Sequence, residues 1–237
     1  MTTQTQPETQ LTLPGQAATA EGPVDLTAMF VMHHAFRRDL NAFVAAAHRT
    51  PAGDTPTWRA LHQRWEMFGR FLHHHHSGED AGLWPMLMDR ADAAGRTVLA
   101  AMEAEHADID PLLAKCSAGF ATLASRVDED TRAALQVRLV AARELLEAHL
   151  RHEEGEALPL VQSLLTPEDW HRLDEEHFKP AYGPREMLAV LPWVLYELPA
   201  PARRRILADR AGRVLETVWR LLLRRPFERR ERRAFRY

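Results

Sequence analysis

Two segments of the sequence repeat one pattern of side chains that can bind transition metals. Both read H-x3-E-[D/E]-x4-P, one beginning at His75 and the other at His149. Residues four apart on a helix lie on one face, with their Cβ atoms about 5–6 Å apart. His75 with Glu79, and His149 with Glu153, can therefore each offer an imidazole and a carboxylate to one metal centre.

The helical spacing of the apolar residues predicts that both pairs face the inside of the protein. In the first segment, steps of three and four residues lead to His75 and Glu79 from Leu61, Trp65, Phe68 and Leu72. In the second segment, the same steps lead to His149 and Glu153 from Leu135, Leu139, Ala142 and Leu146. An unpaired buried carboxylate costs several kcal/mol. Two inward-facing glutamates therefore predict bound cations or strong hydrogen-bonding partners.

Two further helical stripes each contain one histidine among apolar residues. His33 lies in the stripe of Phe30, Phe36, Leu40 and Phe43, and His106 in that of Leu99, Met102, Leu113 and Phe120. Asp110 follows His106 by one turn. The four stripes thus supply four imidazoles and two carboxylates, or three carboxylates with Asp110. Because a mononuclear zinc site needs only three or four protein ligands, this larger set predicts a site for two metals.

Three of the seven predicted metal ligands have an alternative at the neighbouring position in the sequence. The ligands are His33, His75, Glu79, His106, Asp110, His149 and Glu153. The alternatives are His34 for His33, His74 for His75 and Glu154 for Glu153. Within the run of four histidines, His73 and His76 fall off the apolar stripe, which favours His75. Asp80 and Glu154 are predicted to face solvent or to hydrogen-bond a ligand.

Four long segments with helical apolar spacing hold these residues, at about 24–48, 57–92, 96–125 and 131–165. Short breakers separate them at 50–54, near Ala94-Gly95 and at the acidic run 128–130, which can cap the fourth helix. Connections this short join antiparallel neighbours. We therefore predict an all-α fold, an antiparallel up-down-up-down four-helix bundle with a C-terminal helical appendage.

The rest of the chain divides into a tail and an extension. Residues 1–23 are predicted to be a disordered N-terminal tail, and residues 24–178 to form the bundle and a short fifth helix that starts at Thr166-Pro167. Residues 179–237 are predicted to form a helical extension, with two helices within 185–223 and an Arg-rich end. This end carries 13 Arg against four acidic residues from position 203 onwards. It is expected to be solvated or to dock on an acidic side of the bundle; binding to acidic lipid or nucleic acid is the less favoured alternative.

Composition excludes several classes of protein. The 237 residues are 46% hydrophobic and include only 11 Gly, which favours helices over a turn-rich β fold. Cys116 is the only cysteine, so the chain cannot form an internal disulfide or a Cys-based zinc cluster, and the residue is predicted to lie in the core. The longest apolar run, 187–198, is shorter than the roughly 20 residues of a membrane span.

The charge and the N-terminal residues bear on the location of the protein. The first 23 residues contain no Lys or Arg and no apolar run, which argues against a targeting segment. The overall net charge of −3 gives no general attraction to nucleic acid. We expect a cytoplasmic protein that does not span a membrane and does not bind nucleic acid.

These residues resemble the hemerythrin, or HHE cation-binding, family over roughly residues 24–165. The segments 32–40 and 105–111 look like those of bacterial members. The resemblance implies a four-helix bundle around a non-haem di-iron centre that two carboxylates bridge. The family's histidine and HxxxE positions match His33, His75/Glu79, His106 and His149/Glu153.

The same resemblance implies a cofactor and a partner. The cofactor is expected to be two iron ions, Fe2+ or Fe3+, with an oxo or hydroxo bridge, and manganese and zinc are the alternatives. The partner is expected to be a small oxidant: O2, peroxide or nitric oxide.

The lead hypothesis is binding or reduction of O2 or peroxide, which leaves an oxidoreductase activity open. The alternative is a sensor of oxygen, iron or redox state, or an iron-handling module, that signals through the extension; nitric-oxide or iron–sulfur repair ranks lower.

Two departures from the oxygen-carrying members weaken the case for reversible O2 carriage. Those members have a second third-helix histidine at the position of Asp110. Their fourth-helix acid follows its histidine by five residues, which would select Glu154. An oxygen ligand or an open position in place of an imidazole favours peroxide chemistry over carriage.

Overall fold

The structure is a computed structural model that describes residues 10–18, 20–210 and 212–237. In chain order the bundle comprises α1 (Thr27–Arg49), α2 (Thr55–Gly78), α3 (Trp84–Met88), α4 (Ala93–Ser125), α5 (Glu129–His152) and α6 (Leu158–Leu164). The π-helical segments Glu79–Leu83 and Glu153–Ala157 join α2 to α3 and α5 to α6 without a break. The predicted all-α class is confirmed.

The four long helices close into a bundle. α4 packs against α2 and α5, and α1 packs against α5 and α2. Each long helix reaches the next through a turn of a few residues, so neighbours in sequence run antiparallel. This is the predicted up-down-up-down arrangement, and it directs one stripe of each helix to a common interior.

Aspartates begin three of the long helices. The side chains of Asp54, Asp92 and Asp128 each accept a hydrogen bond from the backbone N–H three residues later. The cap predicted within 128–130 is therefore confirmed. The turn predicted near Ala94-Gly95 lies a few residues earlier, at 89–92, because Asp92 caps α4 and Gly95 lies in its first turn. A Cβ at Gly95 would lie only 3.0 Å from the Cβ of Ala91, so close packing explains the glycine.

Aromatic side chains fill the half of the bundle nearer the connection between α1 and α2. Phe43 packs edge-on against Trp65 and Phe68, with ring centroids 5.0 and 5.9 Å apart. Phe120 of α4 joins them, 5.6 Å from Phe43. Cys116 is buried in the same cluster, as predicted, and burial raises the pKa of its thiol to about 12. The half of the bundle nearer the connection between α1 and α2 is therefore apolar.

The described part of the predicted N-terminal tail packs on the bundle. Residues 10–18 contain no helix, but Leu13 is buried in the core. The side-chain amide of Gln16 donates to the carbonyl of Phe30 at 2.6 Å. The expectation of disorder is therefore corrected for residues 10–18 and 20–23, because they find apolar and backbone partners; residues 1–9 and 19 lie outside the described residues.

The chain after the bundle is more helical than predicted. α7 (Pro167–Leu173) starts at the predicted Thr166, whose side chain forms a capping box with Asp169. A π-helical segment, Asp174–Phe178, and a 3-10 turn, Lys179–Ala181, follow. The extension then comprises α8 (Pro184–Leu195), α9 (Ala200–Arg210), α10 (Gly212–Val218), the π-helical segment Trp219–Leu223 and α11 (Arg224–Ala234). None of the described helices has the length and apolar character needed to cross a lipid bilayer.

The Arg-rich end is a docked helix, and its buried contact reverses the expected sign of charge. Phe227 and Ala234 of α11 are buried against the bundle. Arg64 of α2 donates to Glu231 of α11 at 2.7 Å and to Asp39 of α1 at 2.6 Å. At this buried contact the arginine belongs to the bundle and the glutamate to the extension. Nearer the surface, Arg205 and Arg236 of the extension pair with Asp25 and Asp54, as expected for arginines that dock on acidic residues of the bundle.

The same ion network also binds α8. The indole N–H of Trp193 donates to Asp39 at 2.7 Å. Burial favours the neutral form of Asp39, but the guanidinium groups of Arg64 and Arg38 outweigh burial and lower the pKa of its carboxyl. Asp39 thus joins α1, α2 and the extension through one buried carboxylate.

We expect Arg64→Met to lower the free energy of unfolding by about 3–5 kcal/mol, because it leaves the carboxylates of Asp39 and Glu231 buried without their shared cation. The matched control is Arg70→Met on the same helix, whose exposed ion pair with Glu186 predicts a loss below about 1 kcal/mol. Urea denaturation of both variants makes the comparison. Equal losses would show that the network does not hold the extension.

Candidate metal centre

All four long helices or their π-helical continuations place a titratable side chain in one buried layer. The members are His33, His75, His76, Glu79, His106, His149 and Glu153, and each is at most 4% exposed. An apolar cluster lies on each side of this layer, one containing Phe36 and Phe68 and the other containing Phe30 and Leu83. The layer is therefore isolated from solvent along the bundle axis.

The first group of ligand atoms comes from three helices. His33, His75, Glu79 and Glu153 each offer one nitrogen or oxygen, and these atoms all lie within 4.8 Å of one another. The Nε2 of His33 lies 3.1 Å from the Nε2 of His75 and 3.2 Å from Oε2 of Glu153. The Nε2 of His75 lies 3.1 Å from Oε1 of Glu79. Such a group has the size and composition of one metal's coordination shell.

The second group consists of three imidazoles. Ring nitrogens of His76, His106 and His149 also lie within 4.8 Å of one another. The Nε2 atoms of His106 and His149 are 3.2 Å apart. The ring of His76 stacks on that of His106, with centroids 3.8 Å apart and planes 11° apart. Nitrogens that converge this closely are suited to share one cation.

The two glutamates lie between the groups. Glu79 contacts His75 through Oε1 and lies 3.6 Å from the Nε2 of His106 through Oε2. The Oε2 of Glu153 lies 3.2 Å from the Nε2 of His33 and 3.9 Å from the Nε2 of His149. Each carboxylate therefore reaches both groups, which is the arrangement required of a bridging ligand.

Three of the imidazoles are oriented by carboxylates on their outer side. The Nδ1 of His33 lies 2.9 Å from Glu154, that of His106 lies 2.7 Å from Asp80, and that of His149 lies 2.8 Å from Glu105. A carboxylate at Nδ1 holds the proton there and leaves the Nε2 lone pair directed inwards, as metal-binding histidines require. The outer hydrogen bonds thus prepare three Nε2 atoms for coordination.

Glu154 is itself held by several donors. Arg37 donates to both of its oxygens, at 2.6 and 3.0 Å, and the backbone N–H of Ala17 donates to Oε2 at 3.1 Å. Burial opposes ionisation of Glu154, but the hydrogen bonds from His33 and Arg37 outweigh it and lower the pKa of this carboxyl. Glu154 is therefore a fixed anion behind His33, and it lies outside both groups of ligand atoms.

The inner polar atoms lack hydrogen-bonding partners within the described residues. Both carboxylate oxygens of Glu79, both of Glu153, and the Nε2 of His76 are buried without a hydrogen bond. Burial and the charge of Glu153 raise the pKa of Glu79 well above its usual range. Buried polar atoms left without partners are rare and costly. Cations would satisfy all five atoms, so the residues present fit a metal centre.

Without a metal, His33 is protonated between the carboxylates of Glu153 and Glu154, so a metal that binds its Nε2 would displace that proton. Burial opposes protonation of His33, but the carboxylates of Glu153 and Glu154 outweigh it and raise its pKa to about 9. Burial lowers the pKa values of His75 and His76 well below the usual range. Neutral imidazoles at these two positions keep nitrogen lone pairs that can bind a metal.

The π-helical segments explain why the same sequence pattern occurs twice. Each segment starts at the glutamate, and its backbone bonds reach five residues back: Trp84 donates to the carbonyl of Glu79, and Leu158 to that of Glu153. Pro85 and Pro159 follow directly and lack the N–H that an α-helix would use. The wider π-helical turn directs each glutamate into the bundle. The apolar residues that follow it remain packed in the cluster that contains Leu83.

Two positions differ from those predicted. Asp110 is exposed and lies outside both groups, because the buried face of α4 passes from His106 to Ile109 in a step of three residues rather than four. His76, predicted to point away, is buried in the second group. A signal for it was present in the sequence, since a step of four from Leu72 leads to His76 as readily as a step of three leads to His75.

The register alternatives fall outside the two groups. His34 is half-buried and lines a groove with Arg37 and Asn41. His74 is half-buried beside Tyr182, with ring centroids 5.4 Å apart. Asp80 lies at the surface but bonds His106, so it acts as predicted by holding a candidate ligand.

Comparison with known proteins identifies a family. A family model described as the hemerythrin HHE cation-binding domain matches residues 24–161. That range covers more than half of the chain and includes every member of the buried layer. No curated protein matches the chain, and no solved structure matches it.

We expect Glu154→Gln to weaken metal binding by roughly 10–100-fold, because the amide is a poorer acceptor for the Nδ1–H of His33 and loses the charge that Arg37 holds. Glu156→Gln is the matched control, since this glutamate is exposed two residues further along. Competition with a chelator of known affinity measures both variants. Equal affinities would show that the outer carboxylate does not orient His33.

Proposed function

The chain belongs to the hemerythrin HHE cation-binding family, and we propose that it is a di-iron protein that binds or reduces O2 or peroxide in the core of its bundle. The observation that carries this proposal is the pair of buried ligand groups with two glutamates between them. One group of four or five ligand atoms would serve a single metal. Two groups that share their carboxylates support two.

The proposed ligands divide between the two ions. His33 and His75 would hold the first ion, and His76, His106 and His149 would hold the second. Glu79 and Glu153 would bind both. Imidazole nitrogens together with carboxylates suit iron, and they also suit zinc or manganese. Zinc has no redox chemistry, so iron is proposed and manganese is the alternative; such a metal would supply electrons and an open coordination position when bound.

The protein's own residues would keep the centre dry and its ligands fixed. The apolar clusters on either side exclude water from the layer. The carboxylates of Glu154, Asp80 and Glu105 hold the protons at Nδ1 of their histidines, away from the inner nitrogens. No other side chain is proposed as an acid or nucleophile, and the substrate is therefore proposed to be a small oxidant that needs no further binding groups.

His76→Ala should reduce the metal content of purified protein from two ions to one per chain, because it removes an imidazole from the second group. The control is His73→Ala, which changes an exposed histidine of the same run and should retain both ions. Elemental analysis gives the stoichiometry and the identity of the metal. Circular dichroism establishes that both variants are folded, and equal metal content in both would exclude His76 as a ligand.

Iron-loaded wild-type protein should consume peroxide or O2 at least roughly tenfold faster than His75→Ala, which lacks a nitrogen ligand of the first group. Asp110→Ala should react as the wild type does, because Asp110 is exposed and outside both groups. Stopped-flow absorbance measures the rates. Equal rates for wild type and His75→Ala would contradict an oxidant reaction at this centre.

A second candidate function is a sensor that signals through the extension. The observation that favours it is the contact between the centre and α8. The ring centroid of Phe36 lies 5.3 Å from that of His75 and 5.2 Å from that of Trp193. Trp193 also packs on Phe71, 4.8 Å away. A ligand shift at His75 could therefore change the packing of α8 on the bundle.

For the sensor, protease sensitivity of residues 180–237 should differ between the metal-free, reduced and oxidised forms. The physical reason is that metal ligation couples to the order of the packed side chains. Limited proteolysis followed by mass spectrometry locates the cleavage sites. The same cleavage pattern in all three forms would remove this candidate and leave the oxidant reaction.

A further inference from the structure

The outward side of α10, α11 and the π-helical segment between them combines arginines with exposed apolar side chains. We call it the Arg/Leu face, and its members are Val214, Arg220, Leu221, Leu222, Arg225, Arg229 and Arg233. All of them are exposed. Steps of four residues lead from Leu221 through Arg225 and Arg229 to Arg233, so these side chains share one side of the helix.

The opposite side of the same helices attaches them to the protein. Trp219, Phe227, Glu231 and Ala234 are buried there, again in steps of three, four and eight residues. Glu231 is fixed by its bond to Arg64 of the bundle. The Arg/Leu face is therefore held outwards on a docked helix and is not an unattached tail.

The charge of the face is free to act on a partner. Arg220, Arg225, Arg229 and Arg233 take part in no ion pair within the part of the chain that the structure describes. The segment from position 203 has a net charge of +9, whereas the whole chain has −3, so the rest of the chain carries −12. This asymmetry would turn the extension towards an anionic surface and the bundle away from it.

The exposed apolar residues show which kind of anionic surface fits. Leu221 and Leu222 are 67% and 63% exposed and adjacent, and Val214 is 74% exposed. Large aliphatic side chains amid unpaired arginines are the composition of helices that lie in a bilayer interface. The aliphatic stem of arginine can lie along apolar surface while its guanidinium group reaches a phosphate. The face has no aromatic side chain on which a nucleic-acid base could stack.

We infer that the Arg/Leu face docks on an anionic lipid surface, with Leu221 and Leu222 entering the headgroup region and the arginines pairing with lipid phosphates. The extension would then hold the bundle at a membrane without spanning it. The observations that carry this inference are the outward direction of the face, its arginines that form no ion pair with any described residue, and its exposed leucines.

The test is sedimentation of the full-length chain with vesicles. Wild-type protein should bind phosphatidylcholine vesicles that contain phosphatidylglycerol and should not bind phosphatidylcholine alone. Binding should weaken as salt rises from about 0.1 M to about 1 M, because the Debye length falls from about 10 Å to about 3 Å. Duplex DNA is assayed in the same buffers as the competing kind of anion.

Two matched pairs of variants locate the contact. Arg225→Gln/Arg229→Gln/Arg233→Gln should weaken vesicle binding roughly tenfold or more, whereas Arg126→Gln/Arg151→Gln/Arg172→Gln, which removes the same charge from the bundle and α7, should weaken it far less. Leu221→Ser/Leu222→Ser should weaken binding severalfold, and Val127→Ser/Val137→Ser, which changes exposed valines of the bundle, should not. Thermal unfolding verifies that each variant is folded.

Four results would overturn the inference. The first is no binding of wild-type protein to the anionic vesicles, and the second is an equal loss in the two arginine triples. The third is equal binding by the leucine and valine pairs. The fourth is binding to duplex DNA under conditions in which the vesicles are not bound.

Discussion

Two carboxylates, those of Glu79 and Glu153, are buried in the middle of a four-helix bundle without a hydrogen bond to any described residue. Keeping both of them ionised there would destabilise the fold by several kcal/mol if no cation balanced them. Much of the surrounding structure can be explained by the need to balance these two buried carboxylates. Five inward imidazoles converge on the same space, and the outer carboxylates Glu154, Asp80 and Glu105 hold the protons of three of them.

Much of this arrangement could be predicted because the helical period links sequence to direction. The apolar stripes that lead to His75 and His149 predicted the bundle, the inward face and the histidine–glutamate pairs together, since the apolar side of an amphipathic helix is the side that packs inwards. His33 and His106 followed by the same reasoning, as single polar residues in apolar stripes. The acidic run at 128–130 could be identified as a helix start because its carboxylate accepts a free N–H.

The errors came from places where packing decides between two allowed directions. A step of three and a step of four differ by one residue, so the stripe alone could not show that both His75 and His76 point inwards, or that Asp110 does not. The π-helical turns at Glu79 and Glu153 were missed because their cause, a proline six residues later, also suits an ordinary helix. The docking of the extension depends on Arg64 and Glu231, which are far apart in sequence, and no local pattern links them.

The central claim is that two metals occupy the layer, one in each group of ligand atoms. Crystals of the iron-loaded protein, measured at the iron absorption edge, test it most directly. The account predicts two anomalous difference peaks about 3.5–4 Å apart, one beside His33 and His75 and the other among His76, His106 and His149. A single peak, or peaks outside these groups with Glu79 and Glu153 contacting neither, would contradict it.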